Sequence, residues 1–467
     1  MQLNRVPSVV RRLRRHEILF WLILLPFTIW GFRNTVSNGI LYQLDHGKFH
    51  GDFSSALFNV GWIQAGCRWP EEVLSGATDV TSYGIFVRGI ELIYGPFFTL
   101  LQYLLVDNTC PPYSLVSTPL FNPDTLLVVV TGINLILISV CIVAIVRFLY
   151  STDLVDSHPI SHIAIVCTLW LLDSHLGYSI SVAAIPEILE LLLILCGLLL
   201  ITRPTRSSQT ISGVLIALSA LVKLVPAIFL PLLFFRRSHT WHRVTGFCAT
   251  VGIVTISIFL GLGLSFSKAF DQKFGVPGEL ALTPMTHPEF RSLTSSIFRI
   301  INIDLESRGA NIVTVSCVSI IGVMSFLAIG YTVLLRRRTS HSPDSTEPGL
   351  VLLIGLYISL LPLINIAHRH TYLFLIPTYI LTFYAGNKLF CGISRIGILS
   401  SGCVLYLWIS QSLVSSLLSR LGIRIPSILH EESLPNLGFS LLFVIMIYLY
   451  EKQKESSESH FTYLDSS

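Results

Sequence analysis

Three clusters of ionisable residues and one isolated lysine have the types and spacing to do chemistry in an otherwise apolar chain. Asp45, His46, Lys48, His50 and Asp52 crowd into LDHGKFHGDFSSALFNVGWIQAG; His287, Glu289, Arg291, Ser292 and Arg299 fall in PGELALTPMTHPEFRSLTSSIFRI; Asn365, His368, Arg369 and His370 fill LPLINIAHRHTYLFLIP. Lys223 stands alone in ALSALVKLVPAIFLPLLFFRR. A carboxylate can take a proton from a hydroxyl, and cations can hold anionic oxygens. Together such groups suit a phosphate or sugar ligand. Each also has a plainer reading. Asp52 precedes the helical repeat Phe53, Ala56, Leu57, Val60, so it fits the N-cap of an interfacial helix as well as a base. Lys223 and the 365–370 turn fit snorkelling to the interface, and the 287–299 cluster fits a solvated loop. Tyr94, in IFVRGIELIYGPFFTLLQYLLV, fits an interfacial or re-entrant helix kinked at Pro96.

The elements that must position these residues are membrane spans. Only 12% of the 467 residues are charged and 52% are hydrophobic, with mean hydropathy +0.69. A soluble domain carries about 25% charge, so a water-soluble enzyme is excluded. The net charge of +4 is too weak and dispersed for nucleic acid, and lipid is the first partner implied. Apolar stretches suited to a hydrocarbon core of about 30 Å recur at about 18–33, 124–149, 160–178, 182–202, 245–265, 311–335, 349–366, 371–386, 396–418 and 435–450. A further stretch, 208–235, is interrupted by Lys223, Pro226 and Pro231. Arg203 and Arg206 precede it and Arg236, Arg237 and Arg243 follow it. Short cytoplasmic loops collect positive charge, so both ends belong inside and a pair of short helices turning near Lys223 is expected.

The fold class that follows is an all-α integral membrane protein, a polytopic bundle of about 10–12 transmembrane helices. Residues 1–450 form one multi-span domain with outer segments at about 34–123 and 266–310, and 451–467 is a disordered cytoplasmic tail. The Arg11, Arg12, Arg14 and Arg15 cluster lies inside, ahead of a retained first helix that Trp21 and Trp30 anchor. This topology brings Asp52, Lys223, Arg291 and His368 to one outer face. The nine cysteines show no C-x-x-C, so no metal or redox motif is expected. Cys67 and Cys110 share the first outer segment, where an oxidising compartment can pair them or leave them free. A secondary transporter or lipid-oligosaccharide flippase would show matched halves and charge near mid-bilayer, whereas no internal repeat is found and the ionisable groups cluster at one face.

GDFSSALF, YGPFFTLL, GVLIALSALVKLVPAIFLPLLFFRR, RSLTSSIFR and LLPLINIAHRHTYLFLIP together resemble the GT-C superfamily of multi-span glycosyltransferases. The resemblance is to the branch holding phosphatidylinositol-mannoside mannosyltransferases and lipid-linked arabinofuranosyltransferases. The Lys-x-x-Pro segment followed by basic residues is its most distinctive carrier. The resemblance implies a large first extracytoplasmic loop with interfacial helices, and a multi-pass protein of the plasma membrane whose active site is extracytoplasmic. It implies inverting transfer of a hexose or pentose, foremost mannose, from a polyprenyl-phosphate donor to a lipid or glycan acceptor. Asp52 is then the general base and His368 a catalytic partner. Lys223, Arg291 and His370 hold the donor phosphate, and Asp45, His50, Tyr94, Glu187, His287 and Glu289 are substrate-binding candidates. No cofactor or metal is implied, and the absence of G-x-G-x-x-G agrees with a lipid-linked donor. The chain departs from the family pattern at Glu289-Phe290-Arg291-Ser292-Leu293, where Asn-Gln-Ser-Leu is frequent, and at Ile185-Pro186-Glu187, where Gly-Gln is common. An O-antigen ligase or polymerase is a further alternative.

Overall fold

The computed structural model describes residues 22, 24–41, 123–155, 159–181, 185–222, 225–235, 239–262, 292–301, 308–339, 348–363, 369–409 and 433–465. Every regular element among them is helical. In chain order these are α1 (24–35, continuing into a π turn, Val36–Leu41), α2 (Pro123–Ser151), α3 (Pro159–Leu172), α4 (Ser174–Ser181), α5 (Ile185–Ile201) and α6 (Arg206–Val222). A 3₁₀ helix, η1 (Val225–Phe234), precedes α7 (Thr240–Leu262), α8 (Leu293–Ile301), α9 (Arg308–Thr339) and α10 (Pro348–Leu360). A second 3₁₀ helix, η2 (Arg369–Phe374), leads into α11 (Leu375–Leu389), α12 (Gly392–Ile409) and α13 (Ser433–Asp465).

Four stretches within α2, α9, α12 and α13 are long and apolar enough to cross a membrane: Thr131–Ser151, Gly309–Arg338, Gly392–Ile409 and Ser433–Glu455. Their outward faces match. Ile312, Val315 and Phe326 of α9 are 67%, 64% and 75% exposed, a surface that lipid tolerates and water does not. At the centre lies α10, buried from Gly349 to Leu360 and apolar all round, as a helix enclosed by other helices must be. The protein is an all-α polytopic membrane bundle.

In lipid, helices associate through close packing and interhelical hydrogen bonds rather than through hydrophobic burial. The small residues Thr28, Gly31, Thr35 and Gly39 put both devices on one side of the first helix. The Thr28 and Thr168 hydroxyls lie 2.7 Å apart, and the Thr35 hydroxyl donates to the Leu171 carbonyl at 3.5 Å. A Cβ on Gly31 would stand 2.9 Å from the Leu171 carbonyl, and one on Gly39 3.0 Å from the Gly177 oxygen. The first helix therefore lies along α3 and α4, and its described part ends at Leu41 beside α4.

The 208–235 stretch is the expected helix pair. Arg243, at the start of α7 and fully buried, donates from Nε to the Leu233 carbonyl at 2.8 Å and from a terminal guanidinium nitrogen to the side-chain oxygen of Gln209. One arginine thus spans the start of α6 and the end of η1. A continuous helix would separate Gln209 from Leu233 by roughly 36 Å at 1.5 Å per residue. The Gln209 amide also caps α5, donating to the Leu200 and Ile201 carbonyls at 3.2 and 3.1 Å and to that of Arg203. A 3₁₀ run of ten residues is unusually long; Pro231 inside it lacks the N–H an α-helix would use.

Other elements differ from the sequence expectation. The 160–178 stretch is two helices, because Asp173 caps α4 and starts it afresh. The 349–366 stretch turns to 3₁₀ at Leu361–Leu363, and the next span opens as η2. The tail expected to be disordered continues α13 to Asp465. At the basic end, Glu451 of α13 accepts from Arg338 and from the Tyr331 hydroxyl of α9. There too His162 of α3 bonds the Tyr384 hydroxyl of α11 at 2.8 Å and meets Tyr150 of α2 edge-on. The first outer segment from residue 42, residues 263–291 and Cys67 and Cys110 lie outside the described residues.

Candidate functional site

At the end of the bundle opposite Arg338 and Glu451, the register between α5 and α6 fixes one wall. Ser212 Oγ donates to the Gly197 carbonyl at 2.8 Å and Ser219 Oγ to the Glu190 carbonyl at 3.4 Å. Seven residues forward on α6 match seven back on α5, so the helices are antiparallel, and three more residues bring Val222 level with Glu187. Lys223 is the next residue in the chain. Glu187 and Glu190, one turn apart at the start of α5, are 0% and 1% exposed. The positive end of the α5 dipole suits carboxylates there.

The second wall is η2, which carries Arg369 and His370 and packs against α4 and α5. A buried polar chain reaches it from the α3–α4 break. Asp173 Oδ1 accepts the His175 backbone N–H at 2.8 Å and the ring Nδ1–H at 2.7 Å. Its other oxygen accepts from the Tyr379 hydroxyl of α11 at 3.2 Å. Tyr379 meets Tyr406 of α12 edge-on at 4.6 Å, and Tyr406 donates to the Leu169 carbonyl at 3.1 Å. On the far side the His175 ring stacks on Tyr372 of η2, with centroids 5.4 Å apart and planes 23° from parallel. A cap needs one oxygen; Asp173 uses both, at 1% exposure.

A separate polar patch comes from RSLTSSIFR. Ser292 caps α8, its Oγ accepting the Ser295 N–H at 3.2 Å, with the two hydroxyls 2.9 Å apart. Ser292, Thr294, Ser295 and Ser296 are buried, and Arg299 donates to Ser296 Oγ at 3.3 Å. α8 packs against α13, whose Ser440 donates to Ser359 of α10 at 2.9 Å.

Of the residues singled out in the sequence, Glu187 is described in full and His370 through its backbone, and η2 packing on α5 brings their elements together. Asp45, His50, Asp52, Tyr94, Lys223, His287, Glu289, Arg291 and His368 lie outside the described residues. Three of them adjoin described ends in the chain: Lys223 follows Val222, Arg291 precedes Ser292, and His368 precedes Arg369. Sequence reasoning passed over Asp173, His175, Glu190 and Gln209, and read Arg243 only as inner positive charge. The signal for the first two was present, since an Asp and a His inside an apolar run mark a functional position by default. Among the described residues no group of three or more His, Cys, Asp or Glu gathers to hold a metal ion.

The sequence profile of glycosyltransferase family 87 matches residues 92–362. No curated protein matches the chain.

Proposed function

Because the chain belongs to glycosyltransferase family 87, we propose that it moves a sugar, foremost mannose, from a polyprenyl-phosphate donor to a lipid or glycan acceptor at the extracytoplasmic face of the plasma membrane. The acceptor hydroxyl oxygen attacks the anomeric carbon and its proton passes to the Asp52 carboxylate. The bond from that carbon to the phosphate oxygen breaks on the opposite side, inverting the centre and releasing polyprenyl phosphate. A general base contributes about 10²–10⁴-fold. Negative charge grows on the leaving phosphate, and preorganised cations in a low-dielectric site stabilise it strongly; Lys223, Arg291 and His370 take that role, with His368 beside them. Asp45, His50, Tyr94, His287 and Glu289 line the substrates. Glu187, buried at the start of α5, joins them as a substrate-binding candidate, and its charge complements that of Lys223, which follows Val222 in the chain.

The observation that carries this reading is the α5–α6 register, which sets Glu187 level with the residue before Lys223 while η2, bearing Arg369 and His370, packs on α5. The test is transfer of radiolabelled sugar from polyprenyl-phosphate mannose, and in parallel from polyprenyl-phosphate arabinofuranose, by wild-type and Asp52→Asn protein in membranes. Label reaching a lipid or glycan with the wild type alone is the expected result. Near-normal turnover by the variant moves the base to another residue. Absence of transfer from both donors, with flipping of a lipid-linked oligosaccharide in its place, overturns the reading.

A further inference from the structure

We propose that Asp173 and His175 are positioning residues for the transfer reaction: they form a clamp that holds η2, and with it Arg369 and His370, at the donor site. The inference rests on the donor reading above for its functional half and on the contacts of Asp173, His175 and Tyr372 for its mechanical half. Asp173 takes two hydrogen bonds from His175, one from its backbone and one from its ring, so the imidazole can neither rotate nor slide along α4. The ring so fixed stacks on Tyr372, and both His175 and Tyr372 are 0% exposed. A 3₁₀ helix repeats every three residues, so a ring held at Tyr372 sets the register of the whole turn from Arg369 to Phe374. η2 needs such a device. Six residues of 3₁₀ hydrogen bonding are weak by themselves, and η2 is secured in sequence through α11, which follows it directly.

The clamp is itself anchored from outside α4. Tyr379 of α11 donates to the Asp173 carboxylate and Tyr406 of α12 to the neighbouring Leu169 carbonyl, so α11 and α12 both anchor the α3–α4 break. Merely capping α4 would need neither the Tyr379 bond nor an aromatic partner at position 175. The chemistry asked of the clamp is geometric. A phosphate-holding group displaced by about 1 Å loses ten- to a hundredfold in effectiveness, which makes the depth and rotation of η2 decisive.

The experiment uses full-length protein in nanodiscs with two readouts: amide hydrogen exchange of residues 369–374, and KM and kcat for polyprenyl-phosphate mannose and polyprenyl-phosphate arabinofuranose. His175→Leu removes the stack, whereas His175→Phe keeps a ring of similar size and loses only the bond to Asp173. The expected result is faster exchange in 369–374 and a donor KM raised about tenfold or more in His175→Leu, with kcat changed less and a melting midpoint lowered by the lost bond to a buried carboxylate. His175→Phe, with the stack but without the Asp173 bond that fixes the ring, should fall between wild type and His175→Leu in both. Should His175→Leu fail to fold, Tyr372→Leu and Tyr372→Phe give the same contrast from the other ring. Equal behaviour of the Leu and Phe variants, or unaltered exchange in 369–374, overturns the clamp. Wild-type protein that transfers from neither donor, with the exchange contrast intact, overturns the donor reading and the clamp's role in it while leaving the mechanical link visible.

Discussion

Two buried carboxylates on α5 and one lysine beyond α6 illustrate what single residues contribute. Glu187 stood out in the sequence because it departs from a family pattern, but its meaning comes from the register of two serine hydroxyls with two carbonyls on the next helix. If Glu187 and Lys223 act on one another, Glu187→Gln and Lys223→Met should be non-additive in donor kcat/KM. A coupling of about 0.5–3 kcal/mol is expected for groups in contact; strict additivity would separate them. Arg243 is the opposite case. Its partners Leu233 and Gln209 are 10 and 34 residues away in sequence, so no local pattern could announce them, and the residue was readable only as inner positive charge. Arg243→Met strands the Leu233 carbonyl and the Gln209 amide oxygen. Each unsatisfied buried group costs about 1–3 kcal/mol, so the variant should melt earlier in a thiol-reactive or intrinsic-fluorescence scan while its donor specificity stays that of the wild type.

At the scale of elements, hydrophobic length located the starts of most long described helices to within about five residues, because the hydrocarbon thickness dictates their spacing; it missed α8, and α13 runs well past its expected end. The breaks were less legible. Lys223 with two prolines signalled the turn between α6 and η1, whereas Asp173 divided α3 from α4 without proline or glycine, through a cap whose strength depends on Tyr379 from 206 residues further on. Backbone proximity was hidden as well. Gly213 of α6 lies against the backbone of Arg243, and Gly246 of α7 against the Thr210 carbonyl; a Cβ at either would collide with main chain. The two helices thus touch where side chains are absent, which is how helices approach closely in lipid. Gly213→Val should force them apart, breaking the Arg243 bonds together with the packing, and lower the yield of monodisperse protein on gel filtration. The same change at Gly252, where a Cβ meets nothing within 4 Å, should be tolerated.

For the whole molecule, the distribution of lysine and arginine foretold an alternating path, and the described helix pairs agree with it: α5 antiparallel to α6, and α6 to η1. The outer chemistry was legible as residue types but not as a surface, because Asp52, Arg291 and His368 fall in the sequence between the apolar stretches rather than within the periodic runs. Orientation itself gives a prediction. Cys391 is exposed in the short link between α11 and α12, which the charge pattern puts on the cytoplasmic side. In a variant keeping Cys391 as its sole cysteine, a membrane-impermeant maleimide should label inside-out vesicles and spare right-side-out ones; the reverse would invert the topology. The Gln209–Arg243–Leu233 junction adds a mechanical corollary. It grips the base of an α6–η1 arm about 25 Å long at 1.5 Å per residue, whose far end is Val222. A tilt of only about 2° at that base swings the far end by about 1 Å, the displacement at which an active site begins to lose its alignment. Arg243 is in this sense the fulcrum of a lever, and the end of the bundle that holds it is a mechanical handle on the opposite end.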